Sequence, residues 1–272
     1  MSRLVTRFAT LREQGRTALI PYITAGDPQP LVTVPLMHAL VAAGADVLEL
    51  GVPFSDPMAD GPVIQAACER ALEHHVSLRQ ILDMVSTFRQ QDEQTPVVLM
   101  GYLNPVEVMG YEVFSRAAHE AGVDGVLTVD LPPEEAQDLL VSLKAEGLDP
   151  IFLAAPTSDD ERIRLMSRAG GGFLYYVSFK GVTGANRLDV QSVKDKLTQI
   201  RSNTELPVGV GFGISDAESA ARIAEFADAV VVGSALVKRI AALLDSPEQI
   251  PVQAPQVIAE MRAAMDRVVA TS

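Results

Sequence analysis

Short runs rich in β-branched and other apolar residues alternate along this chain with stretches whose apolar positions recur every three to four residues, the strand and helix periods respectively. Strands are predicted at 18–24, 47–51, 97–101, 125–129, 150–154, 173–177, 208–211 and 229–233. Helices are predicted between them, among others over 31–43, 78–90, 113–121, 133–146, 160–169, 190–201 and 216–225, with one before the first strand and a last one over 254–269. About eight such units in unbroken alternation close a parallel barrel, so the expected fold is a single-domain (β/α)8 TIM barrel over 1–272 with an N-terminal helix and extra short helices. A doubly wound open sheet competes with it. That fold usually opens with a G-x-G-x-x-G turn, and none follows the first strand.

Polar and turn-forming residues cluster after the strands, as TAGDP at 24–28, PFSDPMADGP at 53–62, GYLNP at 101–105, DLPPEE at 130–135, APTSDD at 155–160, GFGISD at 211–216 and GSALVK at 233–238. The returns from helix to strand, such as AGAD at 43–46 and AGVD at 121–124, are short and plain. In a barrel that asymmetry places the site at the C-terminal mouth of the strands.

One strand brings an acid to that mouth. Within 47–51 the alternation puts Leu48 and Leu50 on one face and Val47 and Glu49 on the other, so Glu49 shares a face with core residues. An ionised carboxylate in apolar surroundings is costly unless it is paired or its pKa rises. The loop that follows, stiffened by Pro53 and Pro57, carries Asp56 and Asp60. Two carboxylates in different surroundings, one strand-borne and one loop-borne, suit a division of acid and base work.

Glycines mark a second constellation. GVGFGIS at 209–215 ends the seventh predicted strand, and VVVGSALV at 230–237 ends the eighth with Ser234 opening a short helix. A phosphate needs inward-aimed N–H groups and no side chain in the way, which glycines and a helix N-terminus supply, and loops seven and eight are the usual barrel phosphate site. The sixth loop, 179–189, carries Gly181, Thr183 and Gly184 with no apolar anchor between Val182 and Leu188, and reads as a lid. Tyr22, Tyr102, Leu127, Phe152 and Tyr175 stand near strand ends, where they are candidate walls for an aromatic substrate.

Composition narrows the chemistry. Hydrophobic residues make up 48% and charged residues 21% of 272, a globular balance without a disorder signature. A formal net charge of −13 with no basic run argues against nucleic-acid binding, and implies that a phosphorylated ligand is held by backbone amides. Cys68 is the only cysteine, which excludes a disulfide within the chain and a thiolate zinc site. None of His38, His74, His75 and His119 lies at a predicted strand terminus, so acid–base work falls to carboxylates. The N-terminal stretch lacks a signal peptide's apolar core and no window approaches roughly 18 apolar residues, so a cytoplasmic chain that does not enter a membrane is expected.

The run LELGVPFSDPMADGPVIQ, with PYITAGDP, GVTGA, GFGIS and VVGSA at matching spacings along essentially the whole chain, resembles the tryptophan synthase alpha-subunit family. The resemblance implies a lyase that splits indole-3-glycerol phosphate by a retro-aldol reaction into indole and D-glyceraldehyde 3-phosphate, without metal or cofactor. It implies that Glu49 shuttles the proton between indole C3 and the 3′-hydroxyl, while Asp60 accepts the indole N–H and stabilises the charge developing there. Gly184, Gly213, Gly233 and Ser234 match the family's phosphate cradle, Tyr175 lies beside the glycerol, and Thr183 meets Asp60 on lid closure. It further implies a pyridoxal-phosphate beta subunit that takes up the indole in an alpha2beta2 tetramer, contacting Pro53, Asp56, Pro57, Asn104 and Pro132. A stand-alone indole-releasing lyase, a silent barrel that activates its partner, and another phosphate-binding barrel are the alternatives.

Overall fold

In the computed structural model of the protein, the predicted apolar runs become parallel strands β1 (Ala18–Thr24), β2 (Leu48–Gly51), β3 (Val97–Gly101), β4 (Gly125–Thr128), β5 (Asp149–Ile151), β6 (Leu153–Ala154), β7 (Leu174–Val177), β8 (Val208–Gly211) and β9 (Ala229–Val232). The structure describes residues 2–177, 190–211 and 213–269. Hydrogen bonding runs in the order β5-β4-β3-β2-β1-β9-β8-β7-β6. The two ends of that order are one interrupted strand. β5 pairs with β4, β6 pairs with β7, and the carbonyl of Phe152 between them accepts from Tyr175 N–H at 3.0 Å, which closes a (β/α)8 barrel. The sequence predicts 150–154 as a single strand; it breaks because the chain exchanges one neighbour for the other at Phe152, and Pro150 has no N–H to give the ladder.

Around the barrel lie α1 (Arg3–Glu13), α2 (Pro30–Ala42), α3 (Pro62–Glu73), α4 (Leu78–Arg89), α5 (Leu103–Met109), α6 (Tyr111–Ala121), α7 (Gln137–Ala145), α8 (Asp160–Ala169), α9 (Val190–Arg201), α10 (Ala217–Ala224), α11 (Ser234–Ala241), α12 (Ile250–Gln253) and α13 (Gln256–Val269). The helix predicted from 133 starts only at Gln137, because Pro132 and Pro133 favour a turn in which Glu135 N–H reaches the carbonyl of Pro132 at 3.1 Å.

The period-two alternation sorts the strand residues into two cores. Outward residues such as Leu19, Leu48, Leu99, Val210 and Val230 pack against the helices. Inward residues such as Ile20, Val47, Val98, Phe173 and Val231 fill the barrel together with Leu4, Phe8 and Leu11 of α1, and the rings of Phe8 and Phe173 stand 5.7 Å apart. The N-terminal helix therefore plugs the bottom of the barrel and leaves the other end for chemistry.

The plain returns from helix to strand turn out to carry the bottom of the fold. Asp46, Asp124 and Asp228 each accept, through the carboxylate, the N–H of Leu19, Val97 and Val208 at 2.9 Å. Each also donates its own backbone N–H to the carbonyl of that same residue. One short side chain thus clamps two neighbouring strands twice. Arginines compensate the charge, with Arg262 at 3.2 Å from Asp46, Arg89 at 2.8 Å from Asp124 and Arg201 at 3.0 Å from Asp228.

Candidate active site

β2 delivers Glu49 into the barrel, level with Tyr22 of β1 and Val98 of β3 in the ladder. It is 1% exposed, and Oε1 has no hydrogen-bond partner among the described residues. Burial, and after it the negative charge of Asp60, lifts the carboxyl from the usual range to about 8. At neutral pH Glu49 therefore holds its proton, ready to give it up.

Asp60 is held differently. Its backbone N–H donates to the carbonyl of Pro57 at 3.0 Å, and Gln65 Nε2 donates to its carbonyl at 2.9 Å, so the end of the loop is fixed against the first turn of α3. The Tyr102 hydroxyl donates to Oδ2 at 2.8 Å. Burial raises this acid too, but the Tyr102 hydrogen bond works the other way. Asp60 is only half-buried, so burial opposes its charged form less than it opposes that of Glu49.

Two phenols complete the floor. A Cβ added at Gly51 would stand 2.1 Å from the Tyr22 hydroxyl, and one at Gly211 would stand 2.2 Å from the Tyr175 hydroxyl. The strand ends of β2 and β8 are glycine because each has a tyrosine head lying across it. Burial pushes both phenols well up, and the negative charges of Glu49 and Asp60 add to the rise, so each phenol stands within electrostatic reach of both acids. Replacing Gly51 by Ala is expected to drive the Tyr22 ring off β2, with a loss of about 1–3 kcal/mol in urea unfolding and a fall in turnover; unchanged unfolding would show that the ring is free to move aside.

After β9, on the other side of β1 from β2, Gly233 precedes α11, and Ser234 is its first residue. Among the described residues no side chain caps this helix, whose Leu236 N–H turns back to the carbonyl of Gly233 at 3.0 Å, and Gly233 lies against Tyr22. Gly213 has φ +77, a left-handed conformation that glycine adopts without strain, and it is exposed at the same mouth. Thr183 and Gly184, with the lid segment 179–189, lie outside the described residues.

The remaining candidates divide. Leu127 is buried in the barrel interior with Ile151 and Tyr175, as a wall requires. Phe152 is not a wall: it belongs to the outer core, because the alternation that turns Ile151 and Leu153 into the barrel turns Phe152 out of it. Tyr102 spends its hydroxyl on the loop of Asp60 rather than on the cavity. Of the rim residues, Asp56 and Asn104 are exposed and Pro57 and Pro132 half-buried, whereas Pro53 is buried and offers a partner little surface. Sequence reasoning missed Met58 on the loop after β2 and Val108 on α5, 87% and 81% exposed; an unpaired apolar residue between Pro57 and Asp60 was the available signal. Cys68 packs with Tyr22, Ile64 and Val237, and burial raises its thiol to about 11, which marks it as a packing residue. Among the described residues no three His, Cys, Asp or Glu side chains gather into a metal-binding cluster, and no helix is long and apolar enough to cross a membrane.

A family model described as tryptophan synthase alpha chain matches residues 8–266. The tryptophan synthase alpha chain of Thioalkalivibrio sulfidiphilus is 67% identical over 266 residues, covering 98% of this chain and 100% of the relative. The chain belongs to the tryptophan synthase alpha chain family. The family member from Nitrosococcus oceani is 63% identical, with 98% of both chains covered. Among solved structures, tryptophan synthase subunit alpha from Legionella pneumophila superposes with a TM-score of 0.93 at 46% identity, covering 98% of this chain and 99% of that one. Tryptophan synthase from M. tuberculosis in an aminoacrylate-bound form superposes at 0.85 and 36% identity, with 97% and 100% covered.

Proposed function

We propose that this chain, as the alpha subunit of tryptophan synthase, cleaves indole-3-glycerol phosphate to indole and D-glyceraldehyde 3-phosphate and passes the indole to a beta subunit. Membership of the family over nearly the whole chain supports the reaction. The observation that carries the site assignment is the buried Glu49, its Oε1 without a hydrogen bond among the described residues, within electrostatic reach of the anchored Asp60.

Glu49, protonated at rest, gives its proton to indole C3, and the ring nitrogen takes up positive charge. Asp60 accepts the N–H hydrogen bond there and stabilises that charge in a site where water does not screen it. Glu49, now ionised, takes the proton of the 3′-hydroxyl as the bond from C3 to C3′ breaks. The bonding electrons return to the ring, C3′ becomes the aldehyde carbon, and Glu49 is again protonated. Gly213, Gly233 and Ser234 hold the phosphate through main-chain N–H groups at the start of α11, with Gly184 joining them and Thr183 reaching Asp60. Tyr22, Leu127 and Tyr175 wall the ring and glycerol.

The partner surface comprises Asp56, Pro57, Asn104 and Pro132, extended by Met58 and Val108, an apolar rim suited to handing over an apolar product. Pyridoxal phosphate belongs to the partner, and both subunits work in the cytoplasm. The test is a direct indole-release assay on purified protein with indole-3-glycerol phosphate, alone and with a beta subunit. Equimolar indole and D-glyceraldehyde 3-phosphate are expected, faster with the partner; no indole in either condition overturns the assignment, and equal rates in both favour a stand-alone lyase.

A further inference from the structure

We infer that Tyr102 is a positioning residue for the reaction: its hydroxyl fixes the orientation of the Asp60 carboxylate, so that one oxygen is tied down and the other is free to meet the substrate's ring N–H. The inference rests on the assignment of Asp60 given above and extends it to a side chain on a different loop.

The geometry leaves the phenol little choice. Tyr102 immediately precedes α5, yet its side chain does not cap that helix; it crosses to the loop after β2. The ring is 4% exposed and stacks on Phe54 of that loop, with centroids 5.2 Å apart and planes 25° from parallel. Ala59 N–H donates to the phenol oxygen at 3.0 Å, and the phenol O–H donates to Asp60 Oδ2 at 2.8 Å. A phenol has a single proton. Because the Ala59 N–H approaches the oxygen as a donor and has no proton acceptor to offer, the hydroxyl proton is directed to the carboxylate. Burial, and after it the hydrogen bond to Asp60 and that group's charge, raises the phenol's pKa, so it stays a donor.

The far side of the tyrosine is anchored as well. Leu103 N–H donates to Asp130 Oδ1 at 2.8 Å, tying the start of α5 to the loop after β4. The loop of Asp60 is tied in turn by Gln65 Nε2 to the Asp60 carbonyl. With both ends fixed, the hydrogen bond holds the carboxylate in one rotamer instead of letting it sweep the mouth. No described residue donates to Oδ1, the oxygen left for substrate. A carboxylate whose charge must act on a nitrogen at the moment the charge develops gains most from being held before the substrate arrives.

Tyr102→Phe keeps the ring and its stacking on Phe54 and removes only the hydroxyl, so folding survives. In the indole-release assay kcat is expected to fall about tenfold with KM within about twofold, and the acid limb of the pH profile to move up by about one pH unit, the worth of a hydrogen bond to a charged acceptor. The thermal midpoint should stay close to wild type. A lowered midpoint with wild-type kcat and an unmoved acid limb would mean that Tyr102 merely holds the loop, and would overturn the inference. Asp60→Asn run alongside separates the two levels: full turnover in that variant overturns the role of Asp60 itself, whereas its loss together with a wild-type Tyr102→Phe overturns the role of Tyr102 alone.

Discussion

Glu49→Gln is expected to release indole roughly 10³-fold more slowly than wild type, within the range set by loss of a general acid–base group, and yet to resist urea better at pH 9. Both effects come from one proton. In the folded chain burial pushes the carboxyl up to about 8, well above its ordinary 4.5. Between those values the folded state keeps a proton that the unfolded state releases. The contribution of Glu49 to stability is therefore fully present below the unfolded pKa and is lost as pH rises through 8, by an amount on the order of 4 kcal/mol. Glutamine has the shape of the protonated acid and never ionises, so it escapes that loss. Urea unfolding of both proteins at pH 5 and pH 9 checks this: the difference between them should grow in favour of the variant as pH rises. A difference that stays constant would mean that Glu49 is already ionised in the folded protein at neutral pH.

Asp60→Asn should lose about 10²–10³-fold in kcat while its unfolding midpoint barely changes, since the amide oxygen still accepts the Tyr102 hydroxyl but carries no charge for the ring nitrogen. Half-buried and tied by its backbone, Asp60 contributes little to folding that asparagine cannot replace. Indole-release kinetics set beside thermal unfolding make the comparison; a drop in stability matching the drop in turnover would identify a structural acid instead.

Much of this was legible in the sequence, for reasons that can be named. β1, β3 and β8 end where the apolar runs end, because turn residues follow at once. Glu49 stood out because strand parity alone puts it on the face of Val47, and the structure turns that face inward. Contacts between distant loops were not legible. The Tyr102 hydroxyl meets an acid 42 residues away, and no local pattern announces it. Helix α5 was hidden because Asn104 and Pro105 read as a turn, although proline is tolerated in a first helical turn where its N–H would have no partner. Pro53 misled in the opposite direction, since proline signals a loop but not which side of it faces water. Phe152 misled because nearness to a strand end was weighed without parity: Ile151 and Leu153 face the barrel interior, so Phe152 between them faces out. The clamping aspartates ended returns too short to carry any periodic signal.

The division of labour between the two acids is most directly measured by carbon NMR titration of the glutamate side-chain carboxyls in wild type and Glu49→Gln. One resonance, absent from the variant, should titrate with a midpoint near 8. A Glu49 resonance that titrates in the ordinary glutamate range, around 4, would contradict a protonated proton donor at the mouth of this barrel.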